Sequence, residues 1–124
     1  MLTFKDFAVI NRRRCEAPNG FNHALSAWSL SDWFTAVLGE LGEAANVGKK
    51  LNRVRDGIPG NTETPKELRE KLQDEVADAF IYLDLLAQSQ GFLLEDAVRA
   101  KFQKTSEKIG YDDAMACLTV TRGP

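Results

Sequence analysis

The chain of 124 residues and 13.8 kDa has the size of one domain, and its 16 basic and 18 acidic residues exclude a protein that holds nucleic acid by bulk positive charge. No apolar run approaches the roughly 20 residues that cross a bilayer, so we expect no membrane partner. The basic cluster 12–14 follows the first apolar residues, the reverse of a secretory signal, and two cysteines form no disulfide framework, so a reduced cytoplasmic location fits best.

Two helices are predicted in the first half of the chain. The first covers residues 2 to about 15, where its basic end suits the helix dipole. Residues 21–28 are ambiguous between a loop and one short helical turn. The second helix begins at Ser29 or Ser31, either of which can cap it, and runs to about Arg53.

A third helix has the clearest start signal in the sequence. Thr64 supplies a cap, Pro65 suits the first turn and Glu67 completes a capping box. The helix is expected to end at Gly91, a typical glycine terminator.

A fourth helix is predicted over about residues 93–108, and the sequence shows no alternating strand pattern of useful length. We therefore predict an all-α fold, a four-helix bundle, with a single domain over residues 1–111. Residues 112–124 form a C-terminal tail that is either a short extended segment or disordered.

Four carboxylates form two pairs with the same spacing. Glu40 and Glu43 stand three apart on the second helix, and Glu75 and Asp78 stand three apart on the third. A spacing of three places both members of a pair on one helical face. Two such helices packed side by side would bring four carboxylates into one small volume.

The helical phase separates these residues from other acidic side chains. At about 100° per residue, Glu75 and Asp78 fall inside the apolar arc of the third helix, whereas Asp74 and Asp84 fall outside it and are predicted to face solvent. Val76 lies at one edge of that arc. Carboxylates beside apolar residues repel one another unless they are protonated, paired or neutralised by cations.

The donor set indicates which cations would fit. The chain has one histidine, and its two cysteines are not spaced for a metal site. Oxygen donors alone favour magnesium, manganese or calcium, and magnesium usually takes substrate phosphates as further ligands. A metal site formed by Glu40, Glu43, Glu75 and Asp78, which binds phosphate oxygens through Mg²⁺ (or Mn²⁺), is the economical interpretation.

At these residues the sequence resembles the MazG-like family of all-α nucleoside triphosphate pyrophosphohydrolases. The family motif E-E-x-x-E followed by E-x-x-D on the next helix is matched by GELGE at 39–43 and EVAD at 75–78. The closing KFQKTSEKIGY at 101–111 also resembles the family, and the resemblance extends from about Trp33 to Tyr111. Gly39 stands where the family motif has its leading glutamate. A glycine at this position resembles the branch of the family that hydrolyses deoxycytidine triphosphate.

The resemblance implies a hydrolase that converts a (deoxy)nucleoside triphosphate to the monophosphate and pyrophosphate, with a role in nucleotide-pool cleansing. Its metal ligands would be the four carboxylates. Glu40 is also the candidate catalytic residue, since a carboxylate not fully used as a ligand could orient or deprotonate the attacking water.

Substrate-binding candidates are of two kinds. Lysines could hold phosphate oxygens, and aromatic side chains could form a flat apolar slot for the base. The candidates are Lys50, Lys101, Lys104, His23, Trp28 and Tyr82. Trp33 is expected in the core.

The sequence leaves two alternatives open. A phosphoribosyl-ATP pyrophosphohydrolase has a related fold and metal chemistry, and a non-catalytic helical module could bind a nucleotide or a protein. A di-iron bundle fails, because the single histidine, His23, has no glutamate three residues before it.

The second and third helices carry apolar residues over more than the roughly 100° that one packing partner needs. We therefore expect a homodimer or homotetramer, in which a neighbouring subunit completes the base slot.

Overall fold

The computed structural model describes residues 2–112 and is all-helical over that range. Its four α helices are α1 (Phe4–Glu16), α2 (Leu30–Asp56), α3 (Pro65–Ser89) and α4 (Leu94–Ile109), with one 3-10 turn at Leu25–Ala27. The predicted all-α class and the four helices are confirmed. The tail prediction falls on residues that lie, apart from Asp112, outside the described range. Across residues 2–112, every helix is too short or too polar to span a bilayer.

Three helices begin with a reciprocal capping box. Thr3, Ser29 and Thr64 each accept a hydrogen bond from the backbone N–H three residues later, and an acidic side chain at that position accepts from the cap's own N–H. This assigns the α2 cap to Ser29 rather than Ser31. The α2 helix ends at Gly57, whose φ of 68° is left-handed and therefore favours glycine.

The α2 and α3 helices form an antiparallel hairpin, which is the main packing unit of the chain. The α1 helix lies against α3, and α4 packs on α1 and α3. The core joins the first turn of α2 to the last turns of α3 and the end of α1. It contains Cys15, Leu25, Trp33, Val37, Leu85 and Leu86. Trp33 is fully buried, as predicted.

The predicted solvent exposure of Asp84 is wrong. Asp84 is 2% exposed, and its Oδ2 accepts hydrogen bonds at 2.9 Å from the side-chain amides of Asn11 and Gln88. The prediction assumed that α3 buries only one face. In the structure α1 covers a second face of the C-terminal half of α3, so a carboxylate outside the first apolar arc becomes buried.

The N-terminal half of α3 has fewer partners. Val76, assigned to the edge of the apolar arc, is half exposed and lines an open apolar groove of about 780 Å³ with Phe4, Phe7 and Phe80. A second apolar stripe lies exposed on α2. It consists of Phe34, Leu38 and Leu41.

Candidate metal centre and adjoining pocket

The α2–α3 hairpin brings three of the four predicted carboxylates together. Glu40, Glu43 and Glu75 each offer a carboxylate oxygen, and these atoms all lie within 4.8 Å of one another. Glu40 and Glu75 are half-buried, whereas Glu43 is exposed. The antiparallel register of the two helices creates this cluster, because Glu43 and Glu75 occupy the same level of the hairpin.

The three carboxylates perturb one another. The pKa of Glu43 is raised, first by the hydrogen bond that Glu43 forms with Glu75 and then by the negative charge of Glu75. The pKa of Glu75 is raised mainly by the hydrogen bond between Glu75 and Glu40, and the charges of Glu40 and Asp78 act in the same direction. Within residues 2–112 no lysine or arginine forms an ion pair with the cluster. The cluster therefore holds more negative charge than the basic residues within positions 2–112 neutralise.

Asp78 lies one turn after Glu75 and contributes its charge to both Glu43 and Glu75. Together with Glu40 it lines a pocket of about 410 Å³ between α1, the 21–28 segment, α2 and α3. The acidic cluster thus opens at one end of a cavity large enough for a small organic ligand.

The other end of this pocket is aromatic. The ring of His23 stacks on Trp28 with centroids 5.0 Å apart, and Trp28 lies 6.2 Å from Tyr82 at a similar angle. The buried ring of Trp33 packs against Trp28 in a tilted arrangement, with the ring centroids 4.6 Å apart. The structure therefore places all three aromatic candidates, His23, Trp28 and Tyr82, in one wall.

A tight turn after α1 sets the position of His23. The backbone N–H of His23 donates to the carbonyl of Cys15 at 3.0 Å, and the buried thiol of Cys15 lies 3.8 Å from the ring Nε2. Burial raises the pKa of that thiol. Cys15 is thus a packing residue that holds the imidazole ring against Trp28.

The candidate lysines lie apart from the cluster. Lys50 Nζ contacts Glu63 Oε1 at 2.9 Å, and Lys71 lies 3.4 Å from the same oxygen. The hydrogen bond with Lys50 is the main cause that lowers the pKa of Glu63 to about 2. Lys50 therefore anchors the α2–α3 loop in this structure. Lys101 and Lys104 are exposed on α4, which packs on α1 and α3.

Sequence reasoning missed Arg14 as a pocket residue, and it considered Phe21 among the aromatic residues near the base slot without selecting it. Both line the cavity beside His23, and the Arg14 guanidinium carbon lies 5.4 Å from the centroid of the Phe21 ring. The basic end of α1 was interpreted only as a complement to the helix dipole. The available signal was the glycine turn that follows, because such a turn returns the chain to the last turn of the helix.

Comparison with known proteins gives no assignment: no protein-family model, curated protein or solved structure matches this chain.

Proposed function

We propose that this protein is a magnesium-dependent nucleoside triphosphate pyrophosphohydrolase. The observation that carries the proposal is one continuous pocket with a carboxylate end and an aromatic end, lined by Glu40 and Asp78 at one end and by His23, Trp28 and Tyr82 at the other. A nucleoside triphosphate has matching parts, a polyanion and a flat base. The resemblance of the GELGE and EVAD segments to the MazG-like family points to the same reaction.

The carboxylate cluster fits a divalent cation. Its three close oxygens are hard donors, and hydrogen bonds between the carboxyl groups, together with their mutual repulsion, raise the pKa values of Glu43 and Glu75. Glu40, Glu43 and Glu75 would hold Mg²⁺, with Asp78 as a fourth ligand. When bound, Mg²⁺ supplies charge neutralisation of the triphosphate and a lowered pKa for a water molecule.

Glu40 connects the carboxylate cluster with the pocket. It belongs to the carboxylate cluster and also lines the cavity. In the proposed reaction its carboxylate orients the attacking water and accepts its proton as the water oxygen bonds to phosphorus. The bond between the α- and β-phosphoryl groups breaks, and pyrophosphate leaves.

The aromatic end would hold the base. Trp28 is half-buried and stacks with the rings of His23 and Tyr82, which together form a flat aromatic wall. Stacking of this kind tolerates any base, since every base has a flat face, and it places the phosphates toward Glu40 and Asp78.

The test is a panel of purified triphosphates, both common and modified, and phosphoribosyl-ATP, with pyrophosphate detected in the presence of Mg²⁺. We expect turnover of at least one nucleoside triphosphate and its loss in excess chelator. Mg²⁺ should also raise the thermal midpoint, because the cation relieves repulsion that exists only in the folded state. Turnover of phosphoribosyl-ATP alone would establish the related enzyme class. Nucleotide binding without any turnover would establish a binding module.

The proposal includes a homo-oligomer, a dimer or tetramer. Its support is the exposed stripe on α2 and the open groove beside Val76, since contiguous apolar patches of this kind are rare on monomers. In such an assembly Lys101 and Lys104 of a neighbouring subunit could reach the phosphates.

Analytical ultracentrifugation at micromolar concentration tests the assembly. We expect a species of at least twice 13.8 kDa, and Leu38→Glu in the α2 stripe should shift it toward the monomer. Lys49→Glu, an exposed position on the same helix, is the matched control. An active 13.8 kDa species would overturn the assembly.

A further inference from the structure

The pocket contains a cationic group that the proposed reaction has not used. Arg14 is the only arginine or lysine in the cavity wall described here, which also contains the carboxylates of Glu40 and Asp78. Within residues 2–112 Arg14 forms no ion pair, and its side chain contacts the Phe21 ring. Its neighbours Arg12 and Arg13 belong to the same helix end, but Arg12 is paired with Glu16 and neither lines the pocket.

The turn after α1 builds this arrangement. Phe21 N–H donates to the Arg14 carbonyl at 3.0 Å, which holds the ring beside the guanidinium. Gly20 is required, because a Cβ there would lie 2.0 Å from the Arg14 carbonyl oxygen. Asn22 follows with a left-handed φ of 56°. Stacking against a ring restrains a guanidinium plane while its N–H groups stay free to donate.

Arg14 belongs to the aromatic end of the cavity. Its neighbour in the chain, Cys15, contacts the ring of His23, which stacks on Trp28. A ligand whose phosphates reach the cluster therefore presents its base, rather than its phosphates, to this guanidinium.

We propose that Arg14 is a specificity-determining residue that recognises the carbonyl-bearing edge of the base held by His23 and Trp28. A guanidinium offers paired N–H donors, and these match a carbonyl oxygen beside a ring nitrogen acceptor. Cytosine and guanine present such an edge, whereas adenine has no carbonyl. This inference rests on the proposed function, of which it names the substrate class.

The experiment compares Arg14→Lys and Arg14→Met with Arg13→Met, an exposed neighbour outside the pocket. The kcat/KM values for dCTP, dGTP and dATP are measured, and calorimetry gives the affinities of the non-hydrolysable α,β-imido analogues of the same three nucleotides. We expect wild type to prefer dCTP or dGTP over dATP. Both Arg14 variants should reduce that preference about tenfold, the scale of a bidentate base contact, whereas Arg13→Met stays within twofold.

Lysine is informative because it keeps the charge but loses the planar fork. An equal loss for all three nucleotides would identify a phosphate contact and overturn the inference. The inference about Arg14 would also be overturned if the Arg14 variants kept the preference for dCTP or dGTP over dATP, or if the wild type showed no such preference. Either result would leave the proposed hydrolase activity standing. An Arg14-dependent binding preference without turnover would instead overturn the hydrolase and support Arg14. Absence of all nucleotide binding would overturn both.

Discussion

Two carboxylates on α3, Glu75 and Asp84, lie in opposite electrostatic settings. Glu75 is half-buried among other carboxylates, and its pKa is raised, first by its hydrogen bond with Glu40. Asp84 is more deeply buried, yet two neutral amides donate to it at 2.9 Å. Burial alone therefore does not distinguish the acid proposed to bind metal from the structural acid on this helix.

The difference lies in the identity of the neighbours. Asn11 on α1 also donates to the backbone carbonyl of Ile81 on α3, and Gln88 on α3 donates to the backbone carbonyl of Ala8 on α1. The hydrogen bonds around Asp84 therefore connect α1 with α3 in both directions. Both amide nitrogens in that network therefore donate two hydrogen bonds, and a buried network whose donors are satisfied rigidifies a fold. No lysine or arginine among residues 2–112 forms an ion pair with the carboxylate cluster, so its negative charge remains available to a cation.

The largest effect should come from the cluster. Glu43→Gln, Glu75→Gln and Asp78→Asn should each lower the hydrolysis rate at least about a hundredfold, the scale of a lost metal ligand. Steady-state kinetics at saturating Mg²⁺ measures this.

The control is Asp74→Asn, which removes an exposed carboxylate from the same helix and should leave the rate within a few-fold. If Asp74 and Asp78 behave alike, the assignment of cluster and solvent faces on α3 is incorrect.

Asp84→Ala should lower the free energy of unfolding by about 2–4 kcal/mol, because the buried amide of Asn11 and the half-buried amide of Gln88 lose their carboxylate acceptor. Urea denaturation of the metal-free protein measures it. Asp74→Ala should change the same free energy by less than about 0.5 kcal/mol. A loss of activity in Asp84→Ala without a loss of stability would contradict a purely structural role.

A third carboxylate, Glu63, sharpens the contrast with a smaller effect. The hydrogen bond with Lys50 lowers the pKa of Glu63 from its ordinary value of 4.5 to about 2, so the unfolded state binds the proton more readily. Its contribution to stability is present above about pH 4.5 and is lost as pH falls toward 2. Glu63→Gln should therefore lower the thermal midpoint at pH 7, with the difference from wild type shrinking in acid. Glu70→Gln, whose partner Lys66 lies 3.9 Å away on the surface, is the control. A difference independent of pH would contradict the ion pair.

Local signals predicted the helices well. The cap, proline and capping box at residues 64–67 begin α3 as expected, and Trp33 is in the core. These features act within one helical turn or reflect strong hydrophobicity, so they can be recognised in the sequence without knowledge of the tertiary structure. The α2 cap stayed open between Ser29 and Ser31 because both residues have equivalent capping chemistry.

The sequence alone determined that Glu40 shares a face with Glu43, and Glu75 with Asp78, because helical spacing is an intrachain property. Only the tertiary structure decided which carboxylates meet, since the antiparallel register of α2 and α3 brings Glu40, Glu43 and Glu75 within 4.8 Å. The tertiary structure also decided the surroundings of Asp84 and Arg14. Asp84 is buried because α1 crosses a second face of α3, and Arg14 reaches the pocket because the Gly20 turn brings Phe21 back to the end of α1. Contacts between elements depend on packing direction and loop geometry, which residue spacing within one helix does not encode.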